Sequence, residues 1–188
     1  VETVNAKWGN LQAILAGDFL LAKASEIAAS LGTEVAGLLA RTIGWLCEGQ
    51  IEELRFTYDT ARTEDSYYTS IHGKTASLYG TAARIGGIVA GHDPETVDAL
   101  TDFGNAYGMV FQIVDDILDA TATDAQLGKP AGQDDAMGKT TFVTLLGVDG
   151  ATQRLKNLIT QADTALAGFG GRADVLRATA RFVAERQN

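Results

Sequence analysis

The sequence predicts an all-α protein, and three observations carry that expectation. Its 188 residues include only two prolines, Pro94 and Pro130. Apolar residues recur three and four positions apart over long stretches, the spacing that lines one face of a helix. Alternation of apolar and polar residues, the mark of a half-buried strand, does not persist anywhere for long. With 46% of the chain hydrophobic, a single domain spanning residues 1–188 can bury a core of ordinary size.

The elements run in order along the chain. Over residues 4–31, Leu11, Ile14, Leu15, Phe19, Leu20, Ala24 and Ile27 keep helical spacing, and Gly32 supplies a C-terminal stop. A second helix is expected over 34–58, where Val35, Leu38, Leu39, Ile43, Leu46, Ile51 and Leu54 stay in phase. Thr63 can cap a third, because its hydroxyl accepts from an orphan N–H while Glu64 and Asp65 face the positive end of the dipole. That helix is expected to reach Ala90. His92-Asp93-Pro94-Glu95 is the clearest break: Asp93 can cap, and Pro94 suits a first helical position that needs no N–H. A fourth helix then runs to about Ala120. From Thr121 to Gly138 the pattern dissolves into polar residues with Gly128, Pro130 and Gly132, which reads as a long loop of the kind that often carries function. Helical patterning resumes over 140–147, 151–167 and 173–185. Glycines inside the helices, among them Gly17, Gly80, Gly104 and Gly108, mark either close helix packing or a cavity where a ligand meets backbone.

Charge and composition exclude several classes. With 24 acidic against 15 basic residues, the formal net charge is -9, which argues against a broad basic footprint for nucleic acid. Any anionic ligand must be held locally. Cys47 is the only cysteine, so neither a disulfide framework nor a cysteine-based zinc site forms within one chain, as suits a reducing compartment. No apolar run approaches the roughly 20 residues of a membrane span, and no secretion signal opens the sequence. A cytoplasmic protein is expected.

The chemistry concentrates in residues 111–119. At 100° per residue, Gln112, Asp116 and Asp119 fall in one narrow arc with Asp115 alongside. Aspartate is a poor helix former and like charges four apart repel, so the triplet is unfavourable without a cation. Oxygen donors with no nearby His or Cys point to Mg2+ or Mn2+. Taken alone, the triplet fits a solvated acidic face equally well. Lys74, Lys129 and Lys139, each beside a glycine, add cations that can oppose a metal-bound diphosphate. Gly73-Lys74-Thr75 and Gly138-Lys139-Thr140 are not P-loops, because Tyr68 and Gln133 stand where that motif needs glycine.

These residues resemble a known family, the trans-type polyprenyl (isoprenyl) diphosphate synthases. Gly17-Asp18-Phe19-Leu20-Leu21-Ala22, Glu48-Gly49-Gln50-Ile51-Glu52-Glu53-Leu54 and Gly73-Lys74-Thr75 look like three of its segments in order. Phe111-Gln112 through Asp119 looks like its second aspartate-rich motif, succeeded by Gly128-Lys129-Pro130, Gln133-Asp134 and Gly138-Lys139-Thr140-Thr141. The resemblance implies an antiparallel helical bundle around a central cavity. It also implies Mg2+-dependent condensation of an allylic diphosphate with isopentenyl diphosphate. Carried over by position, Asp115, Asp116 and Asp119 would belong to the metal site, with Asp115 foremost. Lys74, Lys129 and Lys139 would meet the leaving diphosphate, Thr75 and Gln112 would stabilise the developing cation or orient the substrates, and Phe111 would wall the isopentenyl group. A homodimer is the family's usual state.

One departure tempers this. The family carries a first aspartate-rich motif on an earlier helix, together with basic residues for isopentenyl diphosphate, and this chain begins after that region. The N-terminal helices of the bundle are therefore expected to be absent, and the 188-residue species is expected to be inactive by itself. A non-catalytic subunit that modulates a complete synthase is the alternative.

Overall fold

The computed structural model describes residues 2–59, 61–122, 132 and 138–186, and among them every regular element is helical. Contacts divide the chain into two units, Val1–Arg41 and Thr42–Asn188. No helix among the described residues is long and apolar enough to cross a membrane.

The first unit holds α1 (Val4–Trp8), α2 (Asn10–Ser30) and the start of α3 (Thr33–Arg55). The one helix expected over 4–31 is broken at Gly9, whose φ of 86° lies in the left-handed region that glycine enters without a Cβ penalty. Thr3 caps α1 by accepting from the Ala6 N–H at 3.4 Å. The C-terminal stop falls where the sequence places it, at Gly32 with φ 109°. Of the residues in α2 only Ala28 is buried, while Leu11, Ile14, Leu15, Phe19, Leu20 and Ile27 are exposed.

The second unit continues α3 and adds α4 (Glu64–Ile71), a π-helical turn (His72–Ala76), α5 (Ser77–Val89) and α6 (Pro94–Thr121). It closes with α7 (Phe142–Ala165), a 3-10 segment (Ala167–Ala173) and α8 (Asp174–Glu185). Local signals set most boundaries. Thr63 accepts from the Ser66 N–H at 3.2 Å, and Asp93 accepts from the Thr96 N–H at 2.9 Å with Pro94 next in line. Thr141 and Thr144 form a reciprocal capping box at the start of α7. The first of the helices expected over 140–147 and 151–167 ends where the sequence places it, at Gly147, whose φ of 71° and ψ of 170° break the helical path, so that α7 is two helices joined across a kink.

α6 is the pivot of this unit and packs against both α5 and α7. Its Met109, Val110 and Ile113 join Tyr67 and Ile71 of α4, Phe142, Leu155 and Leu158 of α7 and Val183 of α8 in the larger core. A second cluster joins Phe103 and Ala106 to Ala162, Leu166, Ala173 and Ala180. α5 and α6 meet backbone to backbone. A Cβ on Gly104 would stand 2.5 Å from the Tyr79 carbonyl oxygen, and one on Gly108 would stand 2.5 Å from Cα of Ala76. Close packing, which only a missing side chain permits, thus offsets the helical cost of these glycines.

The rod expected from 63 to 90 is interrupted by the π-helical turn. Such a turn inserts one residue into a helix and shifts the phase of the residues beyond it. His72 opens it, half-buried, and burial holds its imidazole below the usual histidine range.

This packing makes two outcomes measurable. Gly104→Ala should lower stability by about 1–3 kcal/mol through overpacking, whereas Gly17→Ala, with nothing within 4 Å, should raise it by up to about 1 kcal/mol; urea melts of both variants measure the contrast. Because the fold depresses the His72 pKa, its contribution is full above the unfolded-state value of 6.5 and is lost as pH falls toward the folded value. The melting midpoint should therefore drop on acidification from about pH 7.5 to about pH 5, and His72→Gln should flatten that slope. An unchanged slope would show that His72 is not its source.

Candidate active site

The site begins at a glycine. Gly49 and Glu53 lie one turn apart on α3 and so share a face. A Cβ at position 49 would stand 2.5 Å from both the Lys74 amide nitrogen and the Ser70 carbonyl oxygen. The bare glycine thus lets α3 lie directly against the π-helical turn. One turn on, the Glu53 carboxylate accepts from Lys74 Nζ on both oxygens, at 2.9 and 2.8 Å. Lys139 joins from the segment before α7, with Nζ 3.9 Å from Glu53 Oε1. That segment is held to the chain just after α3 by the Tyr58 N–H, which donates to the Gly138 carbonyl at 2.8 Å. Two ammonium groups therefore meet over one carboxylate. The lysine side chains are 32% exposed and that of Glu53 is 13% exposed.

Beside this cluster the π-helical turn sets Thr75 against α6. Thr75 Oγ1 donates to Gln112 Oε1 at 3.1 Å, and Gln112 Nε2 donates to Asp116 Oδ1 at 3.0 Å. Asp116 is 1% exposed. Its Oδ2 accepts from the Tyr67 hydroxyl at 2.8 Å and from the Phe142 N–H at 3.0 Å. One buried carboxylate thus links α4, α6 and the N-terminus of α7, where the dipole favours negative charge.

A third group of contacts lies at Asp115, whose side chain is 41% exposed. Arg186, just past α8, brings Nη2 to 3.7 Å from Asp115 Oδ1. Its guanidinium carbon sits 4.3 Å from the centre of the Phe111 ring, a cation–π distance. Phe111 packs in turn against Tyr79 at 5.9 Å between ring centres. Burial, and then Tyr107, push the Tyr79 hydroxyl above the usual phenol range, with Arg186 opposing them.

Most of the predicted site residues assemble, though not as one surface. Lys74 and Lys139 converge, Thr75, Gln112 and Asp116 form a chain, and Phe111 and Asp115 share Arg186. The three aspartates part company. Asp115 is open, whereas Asp116 and Asp119 are buried. Lys129 lies outside the described residues, as do Gly128, Pro130, Gln133 and Asp134. Among the described residues no three acidic, histidine or cysteine side chains converge to hold a cation by themselves. The donors fit Mg2+ in its usual mode, one or two carboxylates with waters and phosphate oxygens.

Sequence reasoning quoted Glu53 within a family-like segment without giving it a role, and it passed over Tyr67 and Arg186. Glu53 carried one usable signal, its place one turn after a glycine. Tyr67 and Arg186 reach the site only through tertiary packing.

Comparison with known proteins bears on this arrangement. Residues 1–168 match the family model described as polyprenyl synthetase. The chain is 38% identical over 174 residues to heptaprenyl diphosphate synthase component 2 of Geobacillus stearothermophilus, covering 92% of this chain and 52% of that one. Its structure resembles the heptaprenyl diphosphate synthase of Staphylococcus aureus, with a TM-score of 0.94, 26% identity, and coverage of 99% of this chain and 70% of the other. It also resembles a polyprenyl synthase from Caulobacter crescentus complexed with calcium and isoprenyl diphosphate, with a TM-score of 0.90, 27% identity, and coverage of 98% and 69%. The chain spans about half the length, or less, of the curated relatives it matches. The match to the family model over most of the chain, joined to an all-helical fold shared with these synthases, establishes that the chain belongs to the polyprenyl synthetase family.

Proposed function

We propose that this chain carries the diphosphate-ionising side of a Mg2+-dependent prenyltransferase, one that joins an allylic diphosphate to isopentenyl diphosphate and yields a longer trans-polyprenyl diphosphate. The observation that carries the reading is the convergence of Lys74 and Lys139 on Glu53 beside the Thr75–Gln112–Asp116 chain. The names of the relatives, all synthases of prenyl diphosphates, and the calcium and isoprenyl diphosphate complexed with the Caulobacter protein support it.

Mg2+, or Mn2+ in its place, supplies the charge that neutralises the departing diphosphate. Asp115 is the open carboxylate suited to hold it, with Asp119 one turn on. Asp116 was predicted alongside them as a ligand. Since both its oxygens already accept hydrogen bonds, we assign it the placing of Gln112 and of the α7 N-terminus. When the allylic C–O bond breaks, its electron pair leaves on the diphosphate oxygen, and Lys74, Lys139 and Lys129 meet that charge. Thr75 Oγ1 and Gln112 Oε1 offer lone pairs to the allylic cation, and Phe111 walls the isopentenyl group. The isopentenyl double bond attacks, and the carbon adjacent to the new cationic centre loses a proton to the released diphosphate, its C–H electron pair forming the new double bond. Fixed charges and dipoles aimed at charge as it develops are the largest lever such a site has.

The word "component" in the Geobacillus relative's name supports the second reading, a subunit that works only with a partner chain. The exposed apolar row of α2 supports assembly with another protein surface, and a homodimer acting in the cytoplasm completes the proposal.

Incorporation of labelled isopentenyl diphosphate, with farnesyl diphosphate and Mg2+, tests it. In whichever species is active, the chain alone or the chain with a partner, turnover should vanish on chelation and fall on the order of 100-fold or more in Asp115→Ala and Lys74→Gln. Incorporation that survives both changes would refute the assignment. Activity that appears only after a partner chain is added would favour the subunit reading.

A further inference from the structure

Glu53 stands where the proposed reaction gives it no role. It faces the diphosphate site, yet it is an anion. Its carboxylate is mostly buried, takes Lys74 Nζ on both oxygens and lies 3.9 Å from Lys139 Nζ. The anchorage is unusually direct. Gly49, on the same face of α3, abuts the amide of Lys74 itself, so the helix that carries the carboxylate is packed on the backbone that carries the lysine. The backbone that carries Glu53 is therefore held at a fixed spacing from the backbone that carries Lys74. Lys139 arrives from a distant part of the chain, and it too is tied back to the end of α3 through Tyr58 and Gly138.

Two consequences pull in opposite directions. Two ammonium groups brought together repel, and a carboxylate between them offsets that repulsion. It holds both in place before any ligand arrives. The same carboxylate lowers by one the positive charge an incoming diphosphate meets there, and its own negative charge repels the phosphates at short range. Building on the function proposed above, we propose that Glu53 is a positioning residue that holds Lys74 and Lys139 as a pair and, as a fixed anion between them, weakens their grip on diphosphate so that the released group can depart.

Charge and reach can be separated by two substitutions, with inorganic pyrophosphate and Mg2+ as the probe in isothermal titration calorimetry. Glu53→Gln keeps an oxygen for Lys74 and removes the charge, so pyrophosphate should bind roughly tenfold tighter, with a steeper loss of affinity as salt is added. Glu53→Asp keeps the charge but is one methylene too short to span both lysines, so binding should weaken about threefold or more. A merely structural role predicts weaker binding for both, together with a lower melting midpoint. Glu53→Gln binding no tighter than the parent, or Glu53→Asp matching it, overturns the inference while pyrophosphate binding by the parent keeps the functional reading. Should the Gln variant fail to fold, the Asp variant decides by its melting midpoint: weaker binding at an unchanged midpoint sustains the inference, and weaker binding with a lowered midpoint overturns it. A parent protein that takes up no pyrophosphate overturns both.

Discussion

The second unit turns on the carboxylate of Asp116. Burying a charge costs several kcal/mol unless it is fully met by donors, and here it is met by a phenol, a side-chain amide and a backbone N–H from three different elements. None of those donors is nearby in sequence except Gln112. The carboxylate therefore fixes where α4 and α7 stand relative to α6. Gln112, which the proposed chemistry aims at the allylic cation, is held on one side of it, and the chain that delivers Lys139 begins α7 on the other. Structure and proposed catalysis share this one anchor.

Much of the fold was legible because helix ends are local events. Thr63, Asp93-Pro94 and Gly32 each carry their signal within a few residues, and each boundary falls where that signal lies. The helix end expected at residue 147 coincides with the kink at Gly147, whereas the break at Gly9 was hidden, since one helix was read straight through it. The π-helical turn was hidden for a deeper reason. It lies against α6 on one side and against Gly49 of α3 on the other, contacts that only the fold creates and that no window of sequence holds.

The acidic motif shows the same division. Periodicity placed Gln112, Asp116 and Asp119 in one arc, and the residues do share it. Periodicity does not say what the arc faces. α6 is enclosed by α5 and α7, so its polar arc is itself packed, and the residue beside that arc, Asp115, is the one that meets solvent. Negative charge over the whole molecule did not prevent a local cationic cluster, because Lys74 and Lys139 come from separate segments that only the fold unites.

The five residues His72–Ala76 have a consequence for inheritance. The single extra residue of a π-turn moves everything after it by about 100° around the axis. It turns Tyr67 and Ile71 of α4 toward one core while directing Gly80 of α5 at α6, and it carries Lys74 and Thr75 between them. Loss or gain of one codon in that stretch would shift the packing glycines and the pair Lys74 and Thr75 together. Such a change alters the packing and the Lys74–Thr75 pair at one stroke, whereas substitution alters them one side chain at a time.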